Sequence, residues 1–181
     1  MSTKILLNAK ELQITLNRLA CQLRETHHDF KGSVIVGLQP RGIYVARRLL
    51  SILKEEYKVN HIEVGALDIT FFRDDFRRSK SLLSANQNIM NMKIENKRVV
   101  LIDDVLYTGR SIRAALTAID SYGRPKEIQL LTLIDRRFAR QLPIQPDFCG
   151  RQVDAIENER VQVAWSEQNE QDAVYLISSD E

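Results

Sequence analysis

The chain has 181 residues with 26 Lys and Arg against 24 Asp and Glu, a formal net charge of +2, and a 44% hydrophobic fraction. That is an ordinary balance for a single globular domain spanning 1–181, long enough to bury a core without disulfides or a structural metal, and its bulk charge does not point to a nucleic-acid binder. Two widely separated cysteines, Cys21 and Cys149, make neither a disulfide framework nor a metal cluster, and no apolar run approaches a signal peptide or a membrane helix, so a cytoplasmic protein with no membrane partner is expected.

Asn8 followed by Glu11 has the form of a capping box, and Leu12, Leu16, Leu19 and Leu23 then recur on one helical face, which predicts a helix to about His27. Ser33 to Leu38 (SVIVGL) is a short apolar strand of the kind buried on both faces. Pro40 and Gly42 mark a turn, after which Ile43, Ala46, Leu49, Leu50 and Leu53 predict a second amphipathic helix. Ile62 to Ile69 reads as a strand, and the polar stretch from Arg73 to Asn91 as a long irregular loop, which in a compact domain is either functional or disordered. Val99 to Ile102 is another buried strand, followed by a helix carrying Ile112, Ala115, Leu116 and Ile119 and stopped at Gly123 and Pro125. Ile128 to Ile134, Val161 to Trp165 and Val174 to Ile177 complete the predicted strands. Strands alternating with helices imply an α/β fold, a mostly parallel sheet flanked by helices.

Chemistry concentrates in VVLIDDVLYTGRS, Val99 to Ser111. An apolar strand runs into Asp103 and Asp104, a turn with Thr108 and Gly109 follows, and a helix begins near Ser111. Ligands of open α/β sheets sit at the carboxyl ends of strands, and a turn feeding a helix N-terminus offers backbone N–H groups to a phosphate. Carboxylates accept hydrogen bonds and suit sugar hydroxyls, whereas Thr108 and Ser111 add hydroxyl donors. A phosphate cradle beside a diol clamp matches a ribose 5-phosphate. The blander reading, in which the two aspartates only cap a turn, leaves the rest of this pattern unexplained.

The segment IDDVLYTGRS resembles the phosphoribosyl diphosphate (PRPP) motif of type I phosphoribosyltransferases, in the form found in bifunctional pyrimidine-operon attenuators with uracil phosphoribosyltransferase activity. IVGLQPRGIYVARRL (Ile35 to Leu49), LDITFFRDD (Leu67 to Asp75), GRPKEIQLLTLIDRR (Gly123 to Arg137) and LPIQPDFCGR (Leu142 to Arg151) resemble other segments of that family in the same order. The resemblance implies the type I phosphoribosyltransferase fold with a small C-terminal hood from about residues 138–181 and a flexible loop over about 73–92. PRPP would be bound by Asp103, Asp104, Val105, Leu106, Tyr107, Thr108, Gly109, Arg110 and Ser111. Gln39, Pro40, Arg41 and Gly42 would receive pyrophosphate. Asp103, Asp104, Arg41 and Arg73 would serve catalysis.

Asp135, Arg136 and Arg137 follow a strand and are candidates for the base pocket, or simply a charged turn. Mg²⁺ would arrive on PRPP rather than in a protein cage, since it prefers substrate phosphates and water. In purine-using relatives an acidic residue commonly stands at the place of Tyr107, so tyrosine favours uracil and UMP as acceptor and product. Leader RNA of pyrimidine operons is the expected macromolecular partner, with Arg18, Arg140 and Arg151 as contacts, although Asn17, Cys21 and Gln145 stand where the family pattern has threonine, histidine and arginine. A homodimer or higher homo-oligomer is expected. A purine-base phosphoribosyltransferase and a non-catalytic PRPP- or nucleotide-sensing regulator are the alternatives. Tyr44, Phe71, Phe72 and Trp165 are expected in the core rather than as base-stacking platforms.

Overall fold

Alternate residues of the same strands face two different apolar layers, which is what a sheet covered on both sides requires. The computed structural model describes residues 2–72, 87–156, 158–168 and 170–178. Its elements are β1 (Ser2–Leu7), α1 (Ala9–His27), β2 (Ser33–Leu38), α2 (Gly42–Glu55), β3 (Glu63–Leu67), β4 (Arg98–Leu106), α3 (Arg110–Ile119), β5 (Glu127–Arg136), β6 (Phe148–Val153), β7 (Glu159–Ala164) and β8 (Ala173–Ser178). Five strands form a sheet in the order β3-β2-β4-β5-β6, and every pair in it is parallel. The remaining three form an antiparallel sheet in the order β1-β8-β7.

On one side of the parallel sheet, Ile35, Val100, Ile102, Leu131 and Leu133 pack with Leu12, Leu16, Leu19 and Leu23 of α1 and Val45, Leu49 and Leu53 of α2. Val161, Val163, Trp165 and Val174 belong to this same layer, so the antiparallel sheet shares its core. On the other side Val34, Val36, Val99, Leu101 and Leu130 pack with Ile112, Ala115, Ala118 and Ile119 of α3 and with Ile94. Helix α1 begins as its sequence predicts. The Asn8 side chain accepts from the Glu11 N–H at 3.0 Å, and the Glu11 carboxylate accepts from the Asn8 N–H at 2.9 Å. Arg48 of α2 lies 4.9 Å from the Trp165 ring centre and donates to Glu167, Asp172 and Ser166, which ties α2 to the segment between β7 and β8.

Several elements differ from expectation. β3 stops at Leu67, two residues before the predicted end, because the Asp68 carboxylate turns the chain by accepting from the Thr70 N–H at 2.7 Å. β1 and β6 have no counterpart among the predicted strands. β1 has its exposed residues on an outer strand, and Gly150 with polar neighbours breaks the apolar pattern of β6. The aromatic expectation splits: Trp165 is fully buried and Tyr44 packs near it, but Phe71 and Phe72 are 67% and 40% exposed. They sit on a single turn of 3-10 helix, Thr70–Phe72, outside either layer. Residues 73–86, including Arg73, lie outside the described residues; residues 87–92 run back beside β3, where Ile89 and Ala66 exchange two backbone hydrogen bonds.

Candidate active site

The carboxyl ends of β2 and β4 lie side by side, because these strands are register-paired from Ser33 with Arg98 to Gly37 with Ile102. This brings together two loops more than sixty residues apart in sequence. A cavity of about 150 Å³ opens between them, lined by Gln39, Pro40 and Arg41 from one loop and by Asp103, Asp104, Val105 and Ser111 from the other. Seven of the residues singled out in the sequence therefore meet at one site.

Gly42 makes this proximity possible. A Cβ there would collide with the Ile102 carbonyl oxygen and come within 2.9 Å of the Asp103 Cα. The loop before it is anchored on its other side, where the Gln39 N–H donates to the Leu67 carbonyl at 2.9 Å and the Gln39 amide to the Gln87 carbonyl at 2.8 Å. The Gln39–Pro40 peptide is cis. α2 starts at Gly42 with no side chain capping it; among its first amides, that of Tyr44 donates to the Arg41 carbonyl at 3.0 Å.

Asp104 is 7% exposed. One carboxylate oxygen accepts from the Val105 N–H at 2.8 Å; the other is buried and has no hydrogen-bond partner. Burial holds the Asp104 carboxyl above its ordinary pKa, while the charge of Arg41 and the Val105 N–H act in the opposite direction. An unsatisfied buried acceptor is costly, and a ligand hydroxyl would satisfy it. Asp103 accepts from the Asp104 N–H at 3.0 Å, which orients it toward the same opening.

The turn after β4 has Gly109 in the left-handed region at φ 91°, with α3 starting at Arg110 and no side-chain cap. Leu142 and Ile144 pack within 3.3–3.6 Å of the position a Gly109 Cβ would take, so a second loop backs this turn. Tyr107 is 39% exposed and its ring lies 4.0 Å from the guanidinium carbon of Arg136. Tyr107, Phe138, Ala139, Arg140, Gln141 and Ile156 border a further cavity of about 300 Å³. Phe138, Gln141 and Ile156 were not indicated by the sequence; the cue was only that Phe138 and Ile156 are apolar residues in polar loops.

The charged triplet at the end of β5 separates into three environments. Asp135 is buried and pairs with Arg140. Arg136 is buried behind Tyr107 and donates to the Ile156 carbonyl. Arg137 is half exposed and forms a two-bond ion pair with Asp154 at 2.6 Å. Asp135 and Arg137 border a neighbouring cavity of about 380 Å³ with Cys149 and Pro146. None of the three lines the cavity beside Tyr107. Of the expected RNA contacts, Arg18 donates to the carbonyls of Cys149 and Gly150, Arg151 to that of Leu6, and Arg140 to Asp135 and the Tyr107 carbonyl.

Residues 2–168 match the family model of the phosphoribosyl transferase domain. The chain is 39% identical over 173 residues to the bifunctional protein PyrR of Clostridium novyi, covering 96% of each chain. It is 42% identical over 172 residues to that of Synechocystis sp., covering 95% of each. The chain belongs to the PyrR family of phosphoribosyltransferases. Its fold is shared more widely. A hypoxanthine phosphoribosyltransferase of Trypanosoma cruzi superposes with a TM-score of 0.72 at 14% identity over 98% of this chain and 97% of that one. A hypoxanthine-guanine phosphoribosyltransferase of Bacillus anthracis gives 0.68 at 18% identity over 98% and 99%. The expected type I phosphoribosyltransferase fold and enzyme class are thus those of this PyrR-family chain. Among the described residues no helix is long and apolar enough to cross a membrane.

Proposed function

We propose that the protein transfers the phosphoribosyl group of PRPP to uracil, giving UMP and diphosphate. The observation that carries this reading is the buried, unpartnered oxygen of Asp104 across a small cavity from the Arg41 loop. In the transfer, the bond from C1 of the sugar to diphosphate breaks, a bond from C1 to N1 of the base forms, and the N1 proton leaves. Asp103 and Asp104 hold the ribose hydroxyls, and the turn from Leu106 to Ser111 takes the 5-phosphate. Gln39, Pro40, Arg41 and Gly42 receive the departing diphosphate, on which negative charge grows; positive charge set there in advance stabilises the transition state. Mg²⁺ carried on PRPP would supply further charge neutralisation at the departing diphosphate, while Asp103 and Asp104 face the substrate hydroxyls. Arg73, which lies outside the described residues, is assigned to catalysis from its place in the segment LDITFFRDD.

The base sits in the cavity beside Tyr107, whose ring faces it together with Phe138 and Ile156. In this reading Asp135 and Arg136 support the pocket wall, and Arg137 lies at its outer side. Tyr107 offers no carboxylate to a purine imidazole, which favours uracil over the purine-base alternative. The test is pyrophosphate release with PRPP, Mg²⁺ and a panel of uracil, adenine, hypoxanthine, guanine and orotate. Turnover with uracil is expected. Turnover only with purines would support the purine reading, and none with any base would leave a nucleotide-sensing regulator.

Attenuation through pyrimidine-operon leader RNA is the second activity, carried on a basic face that includes Arg18 and Arg151. We propose it in a weakened form, because these guanidiniums are engaged by backbone carbonyls of the same chain. The protein works in the cytoplasm as a homodimer or higher homo-oligomer; light scattering that gave a monomer at micromolar concentration would remove the oligomer.

A further inference from the structure

We infer that Arg140 and Gln141 are positioning residues for the 5-phosphate: they fix the peptide planes of the Tyr107–Gly109 turn so that its amides point into the phosphate cradle. This rests on the reading of that turn as the phosphate site.

The inference starts from peptide geometry. In a trans peptide the C=O and the N–H point in opposite directions, so holding one fixes the other. The Tyr107 carbonyl shares its peptide plane with the Thr108 N–H, and the Thr108 carbonyl shares its plane with the Gly109 N–H. Both carbonyls are held from the same side. The Arg140 guanidinium donates to the Tyr107 carbonyl, and the Gln141 N–H donates to the Thr108 carbonyl at 3.0 Å. The Thr108 and Gly109 amides must then face away from the 140–141 segment.

Two further contacts stiffen the brace. Arg140 is itself held by the buried Asp135, so its guanidinium has a fixed direction. The Arg110 side chain donates to the Gln141 side-chain oxygen at 2.8 Å, which ties the first residue of α3 to the same segment. Gly109, at φ 91°, is the flexible point such a brace has to control. Preset donors need no reorganisation when the anion arrives, and this is where the affinity gain lies. Arg140 also borders the cavity beside Tyr107, so the brace spans the phosphate and base sides of the site. A guanidinium used in this way has no open fork for a two-bond contact with an RNA phosphate.

The test separates the carbonyl-fixing role from general damage. Gln141→Pro removes the N–H and nothing else from the backbone; Arg140 already has φ −68° and ψ 127°, a conformation that tolerates a following proline. Gln141→Ala keeps the N–H. Arg140→Met removes the guanidinium, and Arg140→Lys retains a cationic donor. Calorimetric titration with PRPP, ribose 5-phosphate and inorganic pyrophosphate, each tested separately, gives the readout.

Affinity for PRPP and ribose 5-phosphate should fall roughly tenfold in Gln141→Pro and Arg140→Met, and by no more than about threefold in Gln141→Ala and Arg140→Lys. Pyrophosphate affinity should stay within about twofold in all four, because its loop lies on β2 and a loss there would signal misfolding. Unchanged ribose 5-phosphate affinity in both Gln141→Pro and Arg140→Met overturns the inference. So does an equal loss for pyrophosphate and ribose 5-phosphate. If the unaltered protein binds neither PRPP nor ribose 5-phosphate, the phosphate-site reading itself fails.

Discussion

Asp104 shows how a single side chain can carry a site. Its carboxylate is buried, one oxygen has no partner, and the charge of Arg41 opposes the effect of burial. Removing the charge while keeping the shape isolates its contribution. Asp104→Asn should weaken PRPP binding by roughly 10- to 150-fold, the equivalent of one charge-assisted hydrogen bond of about 1.5–3 kcal/mol. Calorimetric titration measures it, and unchanged affinity in both Asp103→Asn and Asp104→Asn would sink the site assignment. This residue was legible in the sequence because two adjacent carboxylates at a strand end, followed by Thr108 and Gly109, form a local pattern. Phe138, Gln141 and Ile156 were not legible. Phe138 and Gln141 reach their cavity from the connection after β5 and Ile156 from the one after β6, and no periodicity links the two.

At the scale of elements, legibility followed burial. β2, β4 and β5 are covered on both faces and show as short, mainly apolar runs, and α1 declares its own start through Asn8 and Glu11. β1 and β6 were missed because strand partners, rather than their own patterning, hold them in place. β1 pairs with β8, more than 160 residues away, and Gly150 of β6 abuts the Leu133 carbonyl. The capping box makes a quantitative prediction. Asn8→Ala should cost about 1 kcal/mol of stability in urea denaturation, and Asn8→Asp close to nothing. Because the two side chains cap one another, adding Glu11→Ala to Asn8→Ala should cost less than the sum of the single effects. Full additivity would mean the reciprocal contact contributes nothing.

Acid response belongs to the whole molecule, and His27 helps to set it. The ring is 2% exposed, accepts or donates one hydrogen bond with Ser33 at 2.8 Å, and stacks on Phe30 at 5.2 Å. Burial, followed by the charge of Arg98, lowers its pKa from 6.5 to about 4, with the Gln129 side chain acting the other way. Between pH 6.5 and about 4 the unfolded chain takes up a proton that the native chain refuses. Stability from this group is therefore complete above pH 6.5 and falls with pH until it is lost through about pH 4. The full difference is about 3 kcal/mol. In His27→Gln the loss of unfolding free energy between neutral and acid pH should shrink by an amount of that order. Parallel pH profiles for the two proteins would show that His27 titrates as it does in the unfolded chain.

The same molecule-wide view bears on RNA. Net charge is +2, so an RNA face has to come from local arginines, and three candidates already donate to groups in their own chain. A guanidinium bound to a backbone carbonyl keeps its charge and still attracts phosphate, but its fork is no longer open to a two-bond phosphate contact. Binding should therefore be dominated by long-range attraction, which is steeply salt-dependent and nearly indifferent to sequence. Arg18→Gln and Arg151→Gln should each reduce the salt slope by about 0.7 to 1 and weaken all RNAs alike. Specific recognition would instead separate a pyrimidine-operon leader hairpin from a scrambled one, and would respond to UMP. Filter binding at two salt concentrations, with and without UMP, distinguishes these outcomes. Strong preference for the leader hairpin, enhanced by UMP and little altered by salt, would overturn the weakened-attenuator reading. Equal affinity for both RNAs, unaffected by UMP, would leave the phosphoribosyl transfer as the function that this chain retains.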